Sequence, residues 1–351
     1  MWSHQIIEGL HPNMVQSCGC HHVWRGIIME YRPFGRVKWQ VAEMGYGMWG
    51  LAGWKDSDDD ETWKSLLLSV ELGCNFFDTA WAYGDGLSEE ILGKLLRQFP
   101  DKKLYVATKI PPKNRKWPSK PHFTLDEVFP SDYIEEYVND SLKNLGTESI
   151  DLMQFHVWED AWADRDDWKE TCARLTREGK VQHWGISINR WEPNNSLRTL
   201  ETGQISAVQV IYNIFDQNPE DQLFPLCRKL DIGVIARVPF DEGTLTGTLT
   251  KDTVFPPGDW RGTYFVPENL IPSVEHADAL KPLVPAEMTM AEMALRFILS
   301  NQDVHTTIPG MRRERNVRMN MATSDGKGLS LDLLNALKEH RWDRVPTAWS
   351  Q

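Results

Sequence analysis

Asn75-Phe76-Phe77-Asp78-Thr79-Ala80-Trp81-Ala82-Tyr83-Gly84 sets residues suited to strand pairing directly against an acid, with a tyrosine five positions later on a glycine-flanked loop. Apolar strand formers account for a buried sheet. A carboxylate closing the run places Asp78 at the carboxyl end of a buried strand, where α/β proteins carry their chemistry. Aspartates also cap turns there, so the neighbouring stretches have to decide between the two.

On the amino side, residues 31–41 read as a turn-containing hairpin and 44–49 as a short, Gly-rich strand. A helix follows Ser57: Asp58 to Glu61 load its amino end with negative charge, Trp63, Leu66, Leu67 and Val70 recur at helical spacing, and Gly73 stops it. On the carboxyl side the alternation continues. Ser88 caps a helix carrying Ile91, Leu92, Leu95 and Leu96, and strands are predicted at 104–109, 150–156, 181–187, 206–211, 233–238 and 304–308. Helices are predicted at 134–145, up to Gly179, at 192–202, after Pro219, at 287–300 and at 313–322, with a polar, Pro-rich loop at 111–130 and an irregular segment at 241–286.

Eight short apolar strands, each followed by a helix, imply a parallel sheet covered by helices. That number points to a closed (β/α)8 TIM barrel with an N-terminal hairpin, a long loop after strand 7 and a C-terminal helix. The dinucleotide fingerprint of the open doubly wound sheet is absent, because Gly45, Gly47, Gly50 and Gly53 have the wrong spacing.

The 351 residues suit one such barrel with insertions, and 41% hydrophobic with 25% charged residues is ordinary for a globular chain. A net charge of −12 argues against nucleic acid or an anionic membrane as partner, though a small anionic cofactor needs only a local basic patch. No apolar run approaches the ~18 residues of a membrane span. Five scattered cysteines suggest no disulfide framework and a cytoplasmic location. Cys18-Gly19-Cys20-His21-His22 has the wrong spacing for structural zinc and no second ligand pair, so no metal is expected. Residues 1–28 read as a disordered or non-native extension of a chain that could begin at Met29, and 29–351 as one barrel domain. Among sixteen tryptophans, Trp49, Trp81 and Trp158 fall just after strands, where a substrate pocket would want aromatic walls.

Strand ends converge at one mouth of a barrel. Those ends supply Asp78, Lys109 and His156, with Tyr83 on the loop after Asp78. An acid, an amine, an imidazole and a phenol make a proton-transfer set. The free phenol has a pKa near ~10, which an adjacent ammonium would lower, and Asp78 would hold Lys109 charged. Asp78 with His156 alone would also fit a barrel hydrolase.

These residues carry a resemblance to the aldo-keto reductases over about residues 29–323. The matching segments are 75–90, Val106-Ala-Thr-Lys109, Asp151-Leu-Met-Gln-Phe-His156, 179–187 and Ile308-Pro-Gly310. The family implies a (β/α)8 barrel that reduces aldehydes or ketones with NADP(H), or runs the reverse, with a small carbonyl or sugar substrate and a monomeric or small homo-oligomeric protein. It implies Tyr83 as general acid, Lys109 and Asp78 as its tuning pair, and His156 as the donor that orients the carbonyl. Ser187, Asn189 and Gln209 fall where the family holds the nicotinamide amide, although Ile188 displaces Asn189 by one position. Arg237 replaces the usual aromatic ring beside the nicotinamide; a guanidinium also stacks, and its charge favours anionic or polar substrates. Gly310 stands where a lysine is common, and Arg312, Arg313, Arg315 and Asn316 at a helix start fit the 2′-phosphate, so NADP(H) is preferred to NAD(H). Some family members serve as auxiliary subunits of potassium channels, and an NADPH-binding regulatory subunit is the alternative expectation.

Overall fold

The computed structural model describes residues 29–51 and 59–344, so the Cys18–His22 cluster lies outside the described residues. Among the described residues ten strands form two sheets. β1 (Tyr31–Phe34) and β2 (Trp39–Ala42) are an antiparallel hairpin. The other eight are β3 (Tyr46–Gly47), β4 (Phe76–Asp78), β5 (Tyr105–Ile110), β6 (Ile150–Phe155), β7 (Val181–Ser187), β8 (Ala207–Ile211), β9 (Gly233–Arg237) and β10 (Thr306–Thr307). They run parallel in sequence order from β3 to β10. Parallel bridges Met44–Thr307 and Gly47–Gly310 join the two ends of the sheet, giving a nearly closed barrel.

The helices surround it: α1 (Asp59–Glu71), α2 (Leu87–Gln98), α3 (Leu125–Val128), α4 (Ser131–Leu145), α5 (Asp166–Arg177) and α6 (Leu197–Glu201). The chain continues with α7 (Leu223–Leu230), α8 (Arg261–Tyr264), α9 (Pro267–Leu280), α10 (Met290–Leu299), α11 (Glu314–Met321) and α12 (Leu331–Lys338). Among the described residues no helix is long and apolar enough to cross a membrane, and no group of three or more His, Cys, Asp or Glu could hold a metal ion.

Alternation along each strand divides the apolar side chains into two layers. Outward residues such as Phe77, Val106, Met153, Ile186 and Val208 join the large core beneath the helices. Inward residues Phe76, Ala107, Leu152, Ala207 and Ile235 form a second, smaller core with Phe34 and Val41 from the hairpin, which therefore plugs the barrel floor. Gly233 is required there: a Cβ would collide with the ring of Phe34.

Several predicted boundaries shift, three of them for a plain physical reason. Ser88 does not cap α2, which begins at Leu87 after Gly86 in the left-handed region (φ 98°); its buried hydroxyl accepts from Thr79 Oγ1 at 2.7 Å. The helix predicted at 192–202 shrinks to α6, because Pro193 and Asn195 lie in a turn in which Ser196 Oγ donates to Pro193 O and Asn195 Nδ2 donates to Glu159 Oε2 of a neighbouring loop. The segment predicted as irregular at 241–286 contains α8 and the fourteen-residue α9, whose internal Pro272 obscured its helical pattern.

Candidate active site

The same period of two that fills the floor builds the mouth. Asp78 lies two residues beyond Phe76, Lys109 two beyond Ala107, Gln154 and His156 two and four beyond Leu152. Gln209 follows Ala207, and Arg237 follows Ile235, by the same step. Parallel register sets them side by side, with Lys109 opposite Gln154, Ser187 opposite Gln209 and Ile211 opposite Arg237. Polar residues at inward positions near the carboxyl ends of successive strands thus converge on one end of the barrel.

Lys109 is the centre of the cluster. Its side chain is fully buried, and Nζ donates to Asp78 Oδ1 at 2.6 Å, to Thr79 O at 2.7 Å and to Tyr83 Oη at 3.3 Å. The ammonium also lies 4.9 Å from the centre of the Tyr83 ring. Asp78 Oδ2 accepts from Gln209 Nε2 at 2.6 Å and from Gln154 Nε2 at 3.3 Å, so both carboxylate oxygens are held. The His156 ring meets Tyr83 edge-on with centroids 5.8 Å apart, and Trp117 meets His156 in the same manner at 5.8 Å.

Charge and burial compete at each group. Burial acts against the Lys109 ammonium, but Asp78 and then Tyr83 outweigh it and hold the pKa above the ordinary lysine value. Burial raises the Tyr83 phenol above its ordinary value, and Lys109 offsets this only in part. The expectation that Lys109 gives a net lowering is therefore corrected: the opposing burial of the phenol is the larger effect. Burial, with Lys109 and Arg237 nearby, takes His156 well below 6.5, so the imidazole is neutral. Arg237 is pulled down to about 10 by burial and then by Arg190.

The expected cofactor and pocket residues divide. Ser187 and Gln209 are buried at the mouth, although the Gln209 amide nitrogen is engaged with Asp78. Arg237 donates to Ile188 O at 3.0 Å, while its Nε, like His156 Nδ1, is buried without a partner among the described residues. A Cβ at Gly310 would meet nothing within 4 Å, so open space adjoins β10. These features fit a polar ligand lodged across the mouth. Asn189 instead ties loops together: Nδ2 donates to Trp158 O at 2.9 Å and Glu159 Oε1 at 3.0 Å, and Oδ1 accepts from Ser119 N at 3.3 Å. Arg312 lies over Gly50, and exposed Arg313, Arg315 and Asn316 stand at the amino end of α11, which has no side-chain cap.

Trp49 is exposed at the rim and meets Trp260 edge-on at 4.9 Å; Trp81 is half-buried beneath the Arg115 guanidinium, 5.1 Å from its ring centre. Trp158 corrects the sequence expectation. It is fully buried among Phe155, Trp162 and Trp168, with Nε1 donating to Thr199 Oγ1 at 2.7 Å, so it supports the wall from behind. Gln154 and Trp117 were missed. Gln154 was detectable as an amide at an inward strand position two before His156, whereas nothing local marks Trp117 in its Pro-rich loop.

The profile of the aldo/keto reductase family matches residues 43–341. An NADH-specific methylglyoxal reductase of Escherichia coli (strain K12) is 30% identical over 313 residues, covering 84% of this chain and 93% of that one. A probable voltage-gated potassium channel subunit beta of Oryza sativa subsp. japonica is 27% identical over 316 residues, covering 85% and 92%. Among solved structures, the holo form of an aldo-keto reductase from Bacillus halodurans superposes with a TM-score of 0.72 at 25% identity, covering 92% of this chain and all (100%) of that one. With a family match over most of its length, a (β/α)8 barrel and the Asp78, Tyr83, Lys109 and His156 cluster at its mouth, this chain belongs to the aldo/keto reductase family.

Proposed function

We propose that the protein is an NADP(H)-dependent oxidoreductase that reduces an aldehyde or ketone to an alcohol, or runs the reverse, by direct hydride transfer with Tyr83 as general acid. The observation that carries this reading is the fully buried Lys109 ammonium, shared between Asp78 at 2.6 Å and Tyr83 at 3.3 Å beside the neutral His156. The bound nicotinamide supplies or accepts the hydride. Tyr83 donates its hydroxyl proton to the carbonyl oxygen as that oxygen gains charge, and the Lys109 ammonium stabilises the phenolate left behind. Asp78 keeps the ammonium aimed, and Gln154 and Gln209 keep Asp78 in place. His156, uncharged, directs an N–H at the carbonyl oxygen without competing as an acid.

Ser187, Gln209 and Arg237 would hold the nicotinamide end, and Arg312, Arg313, Arg315 and Asn316 the adenosine phosphate at the start of α11, where helix N–H groups add to the field. The arginines support NADP(H), whereas the E. coli relative is named NADH-specific. A coenzyme titration decides: NADPH should bind more tightly than NADH, and the reverse order would refute the preference. Tyr83→Phe should cut turnover by about 10²–10⁴ while leaving coenzyme affinity intact; retained turnover would refute the general-acid role.

The rice relative named as a channel subunit supports a second reading, an NADPH-binding auxiliary subunit with slow turnover. It requires a stable oligomer and negligible rates across a panel of aldoses, short aldehydes and ketones. Sizing chromatography together with that panel separates the two.

A further inference from the structure

Immediately after Arg237 the backbone enters the left-handed region repeatedly: Val238 at φ 57°, Asp241 at 47°, Glu242 at 57° and Gly243 at 114°. Three of these are not glycine, and one is β-branched, so this path persists only where its surroundings over-determine it. The constraint comes from the far end of the chain. Arg344 Nη2 donates to Asp241 Oδ1 at 2.6 Å and to Asp216 Oδ2 at 2.7 Å, with all three side chains almost wholly buried. Its guanidinium carbon lies 4.6 Å from the centre of the Trp342 ring and 5.2 Å from that of Trp191. The arm that brings it is itself anchored: Trp342 N donates to Phe215 O at 2.8 Å, its ring stacks on His276 of α9 at 4.1 Å, and Arg341 pairs with Asp221 through two hydrogen bonds.

What the clamp holds is part of the mouth. Asn213 Nδ2 links Asp216 to Val238 O, so the loops leaving β8 and β9 are joined at the point Arg344 secures. Glu242 faces Arg190 at 3.9 Å, and both act electrostatically on Arg237. The same segment then runs on to Trp260, which meets Trp49 on the loop after β3. Without the guanidinium, Asp216 and Asp241 would share a buried site with no cation between them.

We propose that Arg344 is a positioning residue for the coenzyme side of the mouth: it draws Asp241 against Asp216 and so fixes the strained turn that follows Arg237 at the end of β9 and leads on to Trp260. The coenzyme consequence rests on the function proposed above; the clamp itself does not. Arg344→Met should speed chymotryptic nicking of the 249–265 segment in the coenzyme-free full chain by roughly tenfold, as local opening becomes cheaper than global unfolding. It should also raise the NADPH dissociation rate and the coenzyme KM by about tenfold while changing kcat by less than about threefold, the split expected when ground-state binding is lost. Arg344→Lys should restore part of each. Nicking and coenzyme dissociation both within about twofold of the parent would overturn the proposal, even with a lowered melting temperature. If no form binds NADPH, the function proposal fails and the nicking rate alone decides the clamp. Should Arg344→Met not fold, Asp241→Asn and Arg344→Lys carry the same readouts.

Discussion

Lys109 has no solvent to retreat to, and this sets what its loss would do. Replacing it by Met leaves the Asp78 carboxylate buried with only amide donors, which should cost about 3–5 kcal/mol of stability, measurable by urea denaturation. A cost below about 1 kcal/mol would show that Asp78 is better solvated than its burial implies. Titration tests the same site. His156 is neutral well below 6.5, so the reductive kcat/KM should show no imidazole inflection between about pH 6 and 8. Because burial raises Tyr83, its phenol stays protonated past the ordinary tyrosine value, and the alkaline limb of that profile should begin no lower than ~10. An alkaline limb below about pH 9 would mean that Lys109 outweighs burial after all. The four residues were legible in the chain because each ends a strand or follows one closely. The direction of the Tyr83 shift was not, since sequence shows a neighbouring charge but not how much water has left. Trp158 failed for the same reason: a tryptophan after a strand reads alike whether it faces the mouth or the helices.

Elements divide between those with strong local patterns and those defined by distant contacts. α4 was legible because Ile134, Val138, Leu142 and Leu145 keep helical spacing up to Gly146, which turns left-handed at φ 67°. α9 was not, because Pro272 sits inside it and its buried face packs on the tail and the post-β9 turn. Close helix packing yields one test. A Cβ on Gly93 of α2 would collide with the carbonyl of Leu145 at the end of α4, so Gly93→Ala should destabilise by roughly 1–3 kcal/mol although alanine is the better helix former; a stabilised variant in thermal denaturation would contradict this packing. The floor yields another. Val234 N donates to His305 Nδ1 at 3.0 Å, and burial, then Arg32, takes this imidazole down to about 4. The unfolded chain takes up the proton near 6.5, so this contribution is complete above that pH and is lost as pH falls towards 4. It should amount to roughly 3 kcal/mol across that range. His305→Gln, which keeps an acceptor, should flatten the fall in urea midpoint between those pH values; an unchanged slope would exclude His305 as its source.

For the molecule as a whole, the count of alternating strands and helices was enough to predict a barrel, because few architectures accommodate eight parallel units. Its floor plug and its tail clamp were not legible, since each joins residues far apart in sequence. The net charge of −12 coexists with Lys109, Arg115, Arg190 and Arg237 around the mouth. With Arg312, Arg313 and Arg315 these cations should make coenzyme affinity fall with ionic strength despite the net negative charge, and a salt-independent dissociation constant would show that the arginines do not reach it. The seam between β3 and β10 has a separate consequence. It unites the first barrel strand, at residues 46–47, with the last, at 306–307, through the bridges Met44–Thr307 and Gly47–Gly310. A growing polypeptide therefore cannot shut its ring until residues 306–310 have emerged, and every earlier intermediate presents raw sheet margins at both ends. Ribosome-arrested chains halted before residue 300 should accordingly remain protease-labile, whereas those released past residue 344 become resistant in one step.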